Sequence, residues 1–194
     1  MIMNKKILTR AISIIALVIL NSNLIQAQQF NLVNGESELK VLGTSSLHDW
    51  HVTAEKQSGK IIFKNLELGE IEKCNIEIVA ESLKSGKSSM DKNTYKALNT
   101  GSFKTITFEL VEVKETTSKG NGKFIVHTLG DLTIAGVKKR VSLDFSTTIL
   151  DNKITLIGEK KFKMTDFKID PPKALFGTIT TGDDITIKFS TTFK

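Results

Sequence analysis

Gly130-Asp131-Leu132-Thr133-Ile134-Ala135-Gly136-Val137-Lys138-Lys139-Arg140-Val141 reads as a β-hairpin. Leu132 and Ile134 alternate with Asp131 and Thr133, Gly136 interrupts, and Val137, Val141, Leu143 and Phe145 resume at even spacing. A tight hairpin needs positive φ in its turn, which glycine adopts without steric cost, so Gly136 is the expected pivot. The same period of two runs through the rest of the chain, and helical periodicity is nearly absent.

Working outward from the hairpin, Leu39 and Val41 open a first strand. Trp50, Val52 and Ala54 open a second, which continues past a break at Ser58 and Gly59 through Ile61 and Phe63. Ile76, Ile78 and Ala80 mark a third, with Cys74 on the same parity. Ile106, Phe108 and Leu110 mark a fourth, whose phase slips to Val111 and Val113 as a β-bulge would produce. Phe124, Val126, Leu132 and Ile134 share one face of a fifth, and Val137, Val141, Leu143, Phe145 and Ile149 one face of a sixth. A seventh follows the Asp151-Asn152 turn with Ile154, Leu156, Phe162 and Met164, and the last carries Ile185, Ile187, Phe189 and Phe193.

These eight strands predict an all-β antiparallel meander. Long strands with open edges invite edge-to-edge pairing, and closure into a barrel removes the edges. One stretch departs from the pattern: Ser88 to Asn99 reads as a short helix between the third and fourth strands, capped by Ser88 or Ser89, with Asp91 in its first turn and Met90, Thr94, Ala97 and Leu98 as its apolar stripe. Another irregular segment, Thr165 to Gly177, contains Asp170-Pro171-Pro172 and is expected to cross or line the barrel mouth.

The inward residues form the expected apolar lining: Trp50, Val52, Ile76, Ile78, Ile106 and Phe108 from the first half of the barrel. Phe124, Val126, Leu132, Ile134, Val137, Val141, Leu143 and Phe145 continue it through the central hairpin, and Leu156, Phe162, Ile185, Ile187 and Phe189 complete it. Such an interior either fills itself or holds an elongated apolar ligand. Lys139 and Lys160 share parity with lining residues near the barrel ends, and with His48 they are the candidate contacts for a polar headgroup. Trp50 and Tyr95 are amphipathic and suited to the mouth.

Lys5, Lys6 and Arg10 precede the apolar run Ala11 to Leu20, and Ala27 is a suitable last residue before cleavage, which is the plan of a secretory signal peptide. The run is too short for a bilayer core, which needs roughly twenty apolar residues. Residues 1–27 are therefore read as a removed leader, and 28–194 as one exported domain, periplasmic or secreted, without a membrane span. Of 27 Lys and Arg, three leave with the leader; the remaining 24 against 21 Asp and Glu give a charge near +3, weak for a nucleic-acid partner. Cys74 is the single cysteine, so no internal disulfide is available, and its parity predicts a small buried hydrophobe.

The residues of the hairpin also carry a resemblance. Gly130 to Val141 is similar to the pattern Gly-x-Leu-Thr-Ile-x-Gly-Val-x-Lys-x-Val of the YceI-like, polyisoprenoid-binding family. Met90, Asp91 and Leu98, then Ile106 and Phe108, and Asp166-Phe167 support it over roughly Glu38 to Phe193. The resemblance implies an extended eight-stranded lipocalin-like barrel, an exported or periplasmic protein, and a long isoprenoid chain held inside. Departures are the stretch Gly43 to Trp50 in place of a His-Ser-containing first strand, Arg140 where proline is common, Lys168 where glycine often follows Asp-Phe, and Phe103-Lys104 where a proline usually precedes the fourth strand. They bear on headgroup recognition more than on the barrel.

No catalytic constellation emerges. Ser45, Ser46, His48 and Asp49 supply the residue types of a triad, but triad members converge from separated positions, and adjacent residues of an extended segment face opposite ways. A turn is the ordinary reading. His48, His51 and His127 are the only histidines and lack the companions of a metal site. The expected function is thus a non-enzymatic, cofactor-free carrier or sequestering protein for an isoprenoid-type molecule, a prenyl quinone or polyprenyl phosphate, with a homodimer as the candidate assembly. Two alternatives stay open at this stage: an interaction module with a filled core, and a lipid-modifying enzyme.

Overall fold

A computed structural model describes residues 27–174 and 177–194. The leader read at residues 1–27 falls outside them except for Ala27, as do positions 175 and 176 of the irregular segment. The strands are β1 (Gln28–Asn31), β2 (Glu38–Ser45), β3 (Trp50–Ala54), β4 (Gln57–Asn65), β5 (Glu70–Val79) and β6 (Leu83–Lys84). After helix α1 (Ser88–Leu98) come β7 (Thr105–Gly120), β8 (Lys123–Ile134), β9 (Val137–Leu150), β10 (Lys153–Lys163), β11 (Lys173–Ala174) and β12 (Ile179–Phe193). They form one curled antiparallel sheet in the order β1-β4-β5-β7-β8-β9-β10-β12-β2-β3-β6, with β11 attached to β12 off this path.

The path therefore holds eleven strands where eight were expected, and the sheet is a half-barrel. The expected second strand divides at Glu55 and Lys56, whose amides donate to Ser82 O at 3.0 Å and Ser82 Oγ at 3.1 Å. Ser58 and Gly59, where the break was expected, lie inside β4. The third strand also divides: a 3-10 turn, Ala80–Ser82, separates β5 from β6. β1 escaped notice because Phe30 is its single apolar residue and shows no alternation. It closes one end of the curl, pairing with β4 on one side while Leu32 bridges Phe193 on the other and Asn31 N–H donates to Lys194 O at 2.7 Å.

The central hairpin pairs β8 and β9 from Ile134↔Val137 to Lys123↔Thr148. Its two turn residues, Ala135 and Gly136, both have positive φ, 47° and 77°, the arrangement whose twist matches a two-residue hairpin. Gly136 has a second reason to be glycine: a Cβ there would fall 2.3 Å from the Phe103 ring. Arg140, the departure from the family's proline, stands opposite Asp131 in register and its Nε donates to Asp131 Oδ1 at 2.5 Å. The phase slip read after Leu110 coincides with a register shift between Leu110 and Glu112.

Two apolar clusters divide the interior. At the base, Phe30, Phe63, Phe124, Phe145 and Phe193 pack with Ile61, Val126 and Ile154, all buried. Phe30 and Phe63 meet edge to face, 6.2 Å between centroids at 85°. At the other end, Leu39, Val52, Ile78, Leu83, Ile106 and Ile134 face Met164, Phe167 and Ile169 from the segment after β10.

Glu36 fastens the base. Its carboxylate accepts from Lys153 Nζ at 2.8 Å and from Lys194 Nζ, joining the turn before β2 to β10 and the end of β12. Those hydrogen bonds lower its pKa from 4.5 to about 2. Because the folded-state value is depressed, the stabilisation is present above the unfolded value and is lost as pH falls from 4.5 toward about 2. Glu36→Gln accordingly lowers the urea midpoint at neutral pH, and the gap from the parent closes over that acid interval; a gap that persists unchanged at pH 2 contradicts the linkage.

Candidate functional site

Helix α1 covers the open end of the curl. Its first turn is organised by Asp91, whose Oδ1 accepts from Ser85 N–H at 2.8 Å and Ser85 Oγ at 2.6 Å. Those bonds hold the Asp91 carboxyl below its ordinary range. This corrects the sequence expectation, since Lys87 is the N-cap residue and neither Ser88 nor Ser89 caps. Tyr95, expected at the mouth, instead pins the helix to the sheet: its hydroxyl donates to Glu81 O at 2.8 Å and accepts from Lys84 Nζ at 2.5 Å. Asn99, left-handed at φ 49°, ends the helix. Met90, Thr94, Ala97 and Leu98 then face the interior.

Beneath them lies a cavity of about 330 Å³. Leu39, Val41, Trp50, Val52, Ile78, Ile106, Ile134, Phe162, Ile185 and Ile187 form its walls, and Met164 and Ile169 close one side. A second, deeper cavity of about 90 Å³ lies toward the base, between Ile76, Phe108, Leu132, Val141, Leu143, Phe145, Leu156 and Phe189. Leu39, Ile78, Ile106 and Ile187 line both, so they form a waist between the two spaces. Their combined lining is almost entirely hydrocarbon, the character of a site that binds through burial of apolar surface.

Of the residues expected to line an interior, most line one cavity or the other. Phe124 and Val126 do not: they are buried in the packed base, because β8 runs the full depth of the curl and its first inward residues meet the aromatic cluster. Val137 is half-buried against the upper cluster without lining either cavity. Trp50 lies flat against Gly43, with a Cβ there only 2.2 Å from its ring, and its Nε1–H donates to Thr44 O at 2.9 Å.

The three headgroup candidates are separated. His48 lies exposed on the rim of the larger cavity, its Nδ1 2.8 Å from Asp49 O. Lys160 contributes to the deeper cavity, but its Nζ reaches Ser142 Oγ at 3.1 Å. Lys139 lines neither; its Nζ is 3.9 Å from Asp166 Oδ1. Lys87 and Lys173, which sequence reasoning missed, do stand at the rim of the larger cavity, with exposed Leu47 beside them in its lining. Lys173 lies in the segment Thr165 to Gly177 that was expected at the mouth, on the short strand β11, but no pattern singles it out there, and Lys87 precedes helix α1 in a connection without periodicity.

Ser45, drawn into the triad comparison, makes a turn: its Oγ donates to His48 O at 2.8 Å and accepts from His48 N–H at 3.2 Å. His127 is elsewhere, 3.2 Å from Asp144. Among the described residues no group of three or more His, Cys, Asp or Glu is placed to hold a metal ion, and no helix is long and apolar enough to cross a membrane.

Cys74 is buried in the wall of the deeper cavity, and burial pushes its thiol up to about 12. The thiolate is the reactive form, so a water-soluble disulfide reagent at neutral pH leaves Cys74 unmodified in the folded protein and modifies it fully in denaturant. Rapid stoichiometric reaction without denaturant contradicts this placement.

The curled sheet, the covering helix and the apolar interior can now be set beside known proteins. A family model described as YceI-like domain matches residues 30–193. This chain belongs to the YceI-like family. Among solved structures the YceI-like domain is similar to BcnA of Burkholderia cenocepacia, with a TM-score of 0.69 at 16% identity, covering 83% of this chain and 98% of that one. It is similar to a polyisoprenoid binding domain from Saccharophagus degradans, described as implicated in plant cell wall breakdown, with a TM-score of 0.67 at 12% identity over 85% of this chain and 97% of that one. A YceI protein of Campylobacter jejuni superposes with a TM-score of 0.55 at 23% identity, covering 71% of this chain and 80% of that one. At these identities the likeness is one of fold. No curated protein sequence matches the chain.

Proposed function

We propose that this YceI-like domain binds a long apolar molecule of the isoprenoid type in its interior and carries or sequesters it after export, with the leader removed near Ala27. The observation that carries the reading is the two-part apolar interior, about 330 Å³ and about 90 Å³ with four hydrocarbon lining residues in common, under a helix that presents Met90, Ala97 and Leu98 to it. Membership of the YceI-like family and the fold shared with a polyisoprenoid binding domain support a lipid-binding role. Each buried methylene contributes about 0.8 kcal/mol, so a prenyl tail supplies affinity without a specific headgroup contact. A polar end left at the rim would meet His48, Lys87 and Lys173.

The reading is of a binding protein and not an enzyme, because the polar groups of the rim and walls are scattered or engaged with one another and do not converge on one reacting position. Mass spectrometry of an organic extract of the purified exported protein tests the proposal. The expected result is a co-purifying prenyl lipid, or saturable binding of added prenyl quinones and phosphates; a protein that is repeatedly lipid-free and binds neither overturns it.

A further inference from the structure

The wall of the curl is split between β9 and β10. The two strands pair from Lys153↔Leu150 only as far as Gly158↔Phe145. Beyond that point each keeps its other neighbour: β9 stays paired to β8 as far as Val137, and β10 to β12 as far as Lys163. Residues 137–144 and 159–163 therefore diverge with no ladder between them. Both banks of the split face the interior, since Val141, Leu143 and Lys160 line the deeper cavity and Phe162 the larger one.

One side chain crosses the split. Lys160 is on the inward face, opposite Ile187 of β12 and in the parity of Leu156 and Phe162. Ser142 is exposed on the outward face, between the cavity-lining Val141 and Leu143. Yet Lys160 Nζ donates to Ser142 Oγ at 3.1 Å. In a paired sheet the backbone ladder stands between an inner side chain and an outer hydroxyl, so this bond exists because the ladder is interrupted. The ammonium thus belongs at once to the cavity wall and to the surface. The carboxylates near it are engaged with other cations: Asp166 with Lys139 at 3.9 Å, Glu159 with Lys188 at 3.7 Å and Asp144 with His127 at 3.2 Å. Among the described residues no carboxylate pairs with Lys160, whose side-chain bond is to the neutral Ser142.

Resting on the lipid-binding reading above, we propose that the split is a side port at which Lys160 holds the anionic end of a prenyl phosphate whose tail lies in the apolar interior. A phosphate cannot be buried without a paired cation or water, and the port offers both. Apart from Lys160 and the neutral Cys74, the deeper cavity is lined by uncharged side chains, so no second charge competes there. The rim cations Lys87 and Lys173 are exposed, where solvent and salt weaken an ion pair. Lys160 is half-buried against hydrocarbon and is screened less. The phosphate takes the place of the Ser142 hydroxyl on the ammonium, exchanging a neutral hydrogen bond for a charge-assisted one.

The test titrates a prenyl phosphate and the prenyl alcohol of equal length against the full protein, Lys160→Met and Lys160→Gln. The first variant removes the charge at similar length; the second also keeps a donor for Ser142. In both, phosphate affinity is expected to fall about tenfold, the size of one charge-assisted hydrogen bond, while alcohol affinity stays at the parent value. The unchanged alcohol affinity shows that the cavity has remained intact. An undiminished phosphate affinity overturns the proposal and leaves the lipid-binding reading standing, and so does an equal loss of both probes in both variants. A phosphate-selective loss that follows Lys87→Met/Lys173→Met and not the Lys160 variants places the anionic end at the rim and overturns it likewise. Failure of both probes to bind the parent overturns the proposal and the lipid-binding reading together.

Discussion

Ile187→Trp is expected to abolish the gain in affinity that a lengthening prenyl chain otherwise provides. Ile187 belongs to the waist with Leu39, Ile78 and Ile106, and an indole there takes up space where the larger and the deeper cavity adjoin. Overpacking costs about 1–3 kcal/mol of stability, which a domain of this size tolerates. The effect on binding is larger. If the indole excludes about four methylenes, the loss at about 0.8 kcal/mol each is ~3 kcal/mol, more than a hundredfold in affinity. Displacement of a fluorescent lipid by prenyl alcohols of increasing length reads it directly: affinity climbs with length in the parent and levels off in the variant. A variant whose affinity keeps climbing shows that ligand does not pass the waist.

Phe63→Ala is expected to produce the opposite pattern, a severe loss of stability with the ligand site undisturbed. Phe63 is fully buried, meets Phe30 edge to face and lines neither cavity. Truncating a buried phenylalanine costs about 3–5 kcal/mol through lost transfer energy and the void left behind. Urea unfolding measures the loss, and lipid titration at low temperature, where the variant remains folded, should give an affinity close to that of the parent. A cost under about 1 kcal/mol would mean that the base relaxes around the void instead of being close-packed.

Alternation made the wall of the structure legible. Leu132, Ile134, Phe145 and Leu156 lie inward where period two places them, because side-chain direction in a strand depends only on parity until a bulge intervenes. The breaks were less legible. The division at Glu55 and Lys56 depends on Ser82, a partner distant in sequence, so no local pattern marks it. Depth along the tube is also invisible to parity: Phe124 and Leu132 share the inward face of β8, yet the first packs into the base and the second lines the deeper cavity. Gln57 illustrates a third limit. A polar residue at an inward position reads as an interruption of the hydrophobic pattern, and only the folded arrangement shows it buried and unpartnered.

The pairing of β2 with β12 has a consequence in time. Glu38–Ser45 has no partner on that side until Ile179–Phe193 has been synthesised, and the Leu32–Phe193 bridge waits equally long. Contacts of such sequence separation must be formed after the entropy of closing nearly the whole chain has been spent, which places all-β domains among the slower folders, at milliseconds to seconds. A nascent chain stopped before β12 leaves β10 and β2 each with an unoccupied edge. The hairpins from β7 to β10 pair with near neighbours in sequence, so it is the joining of β2 to the rest of the sheet, and not the sheet as a whole, that waits for the last strand.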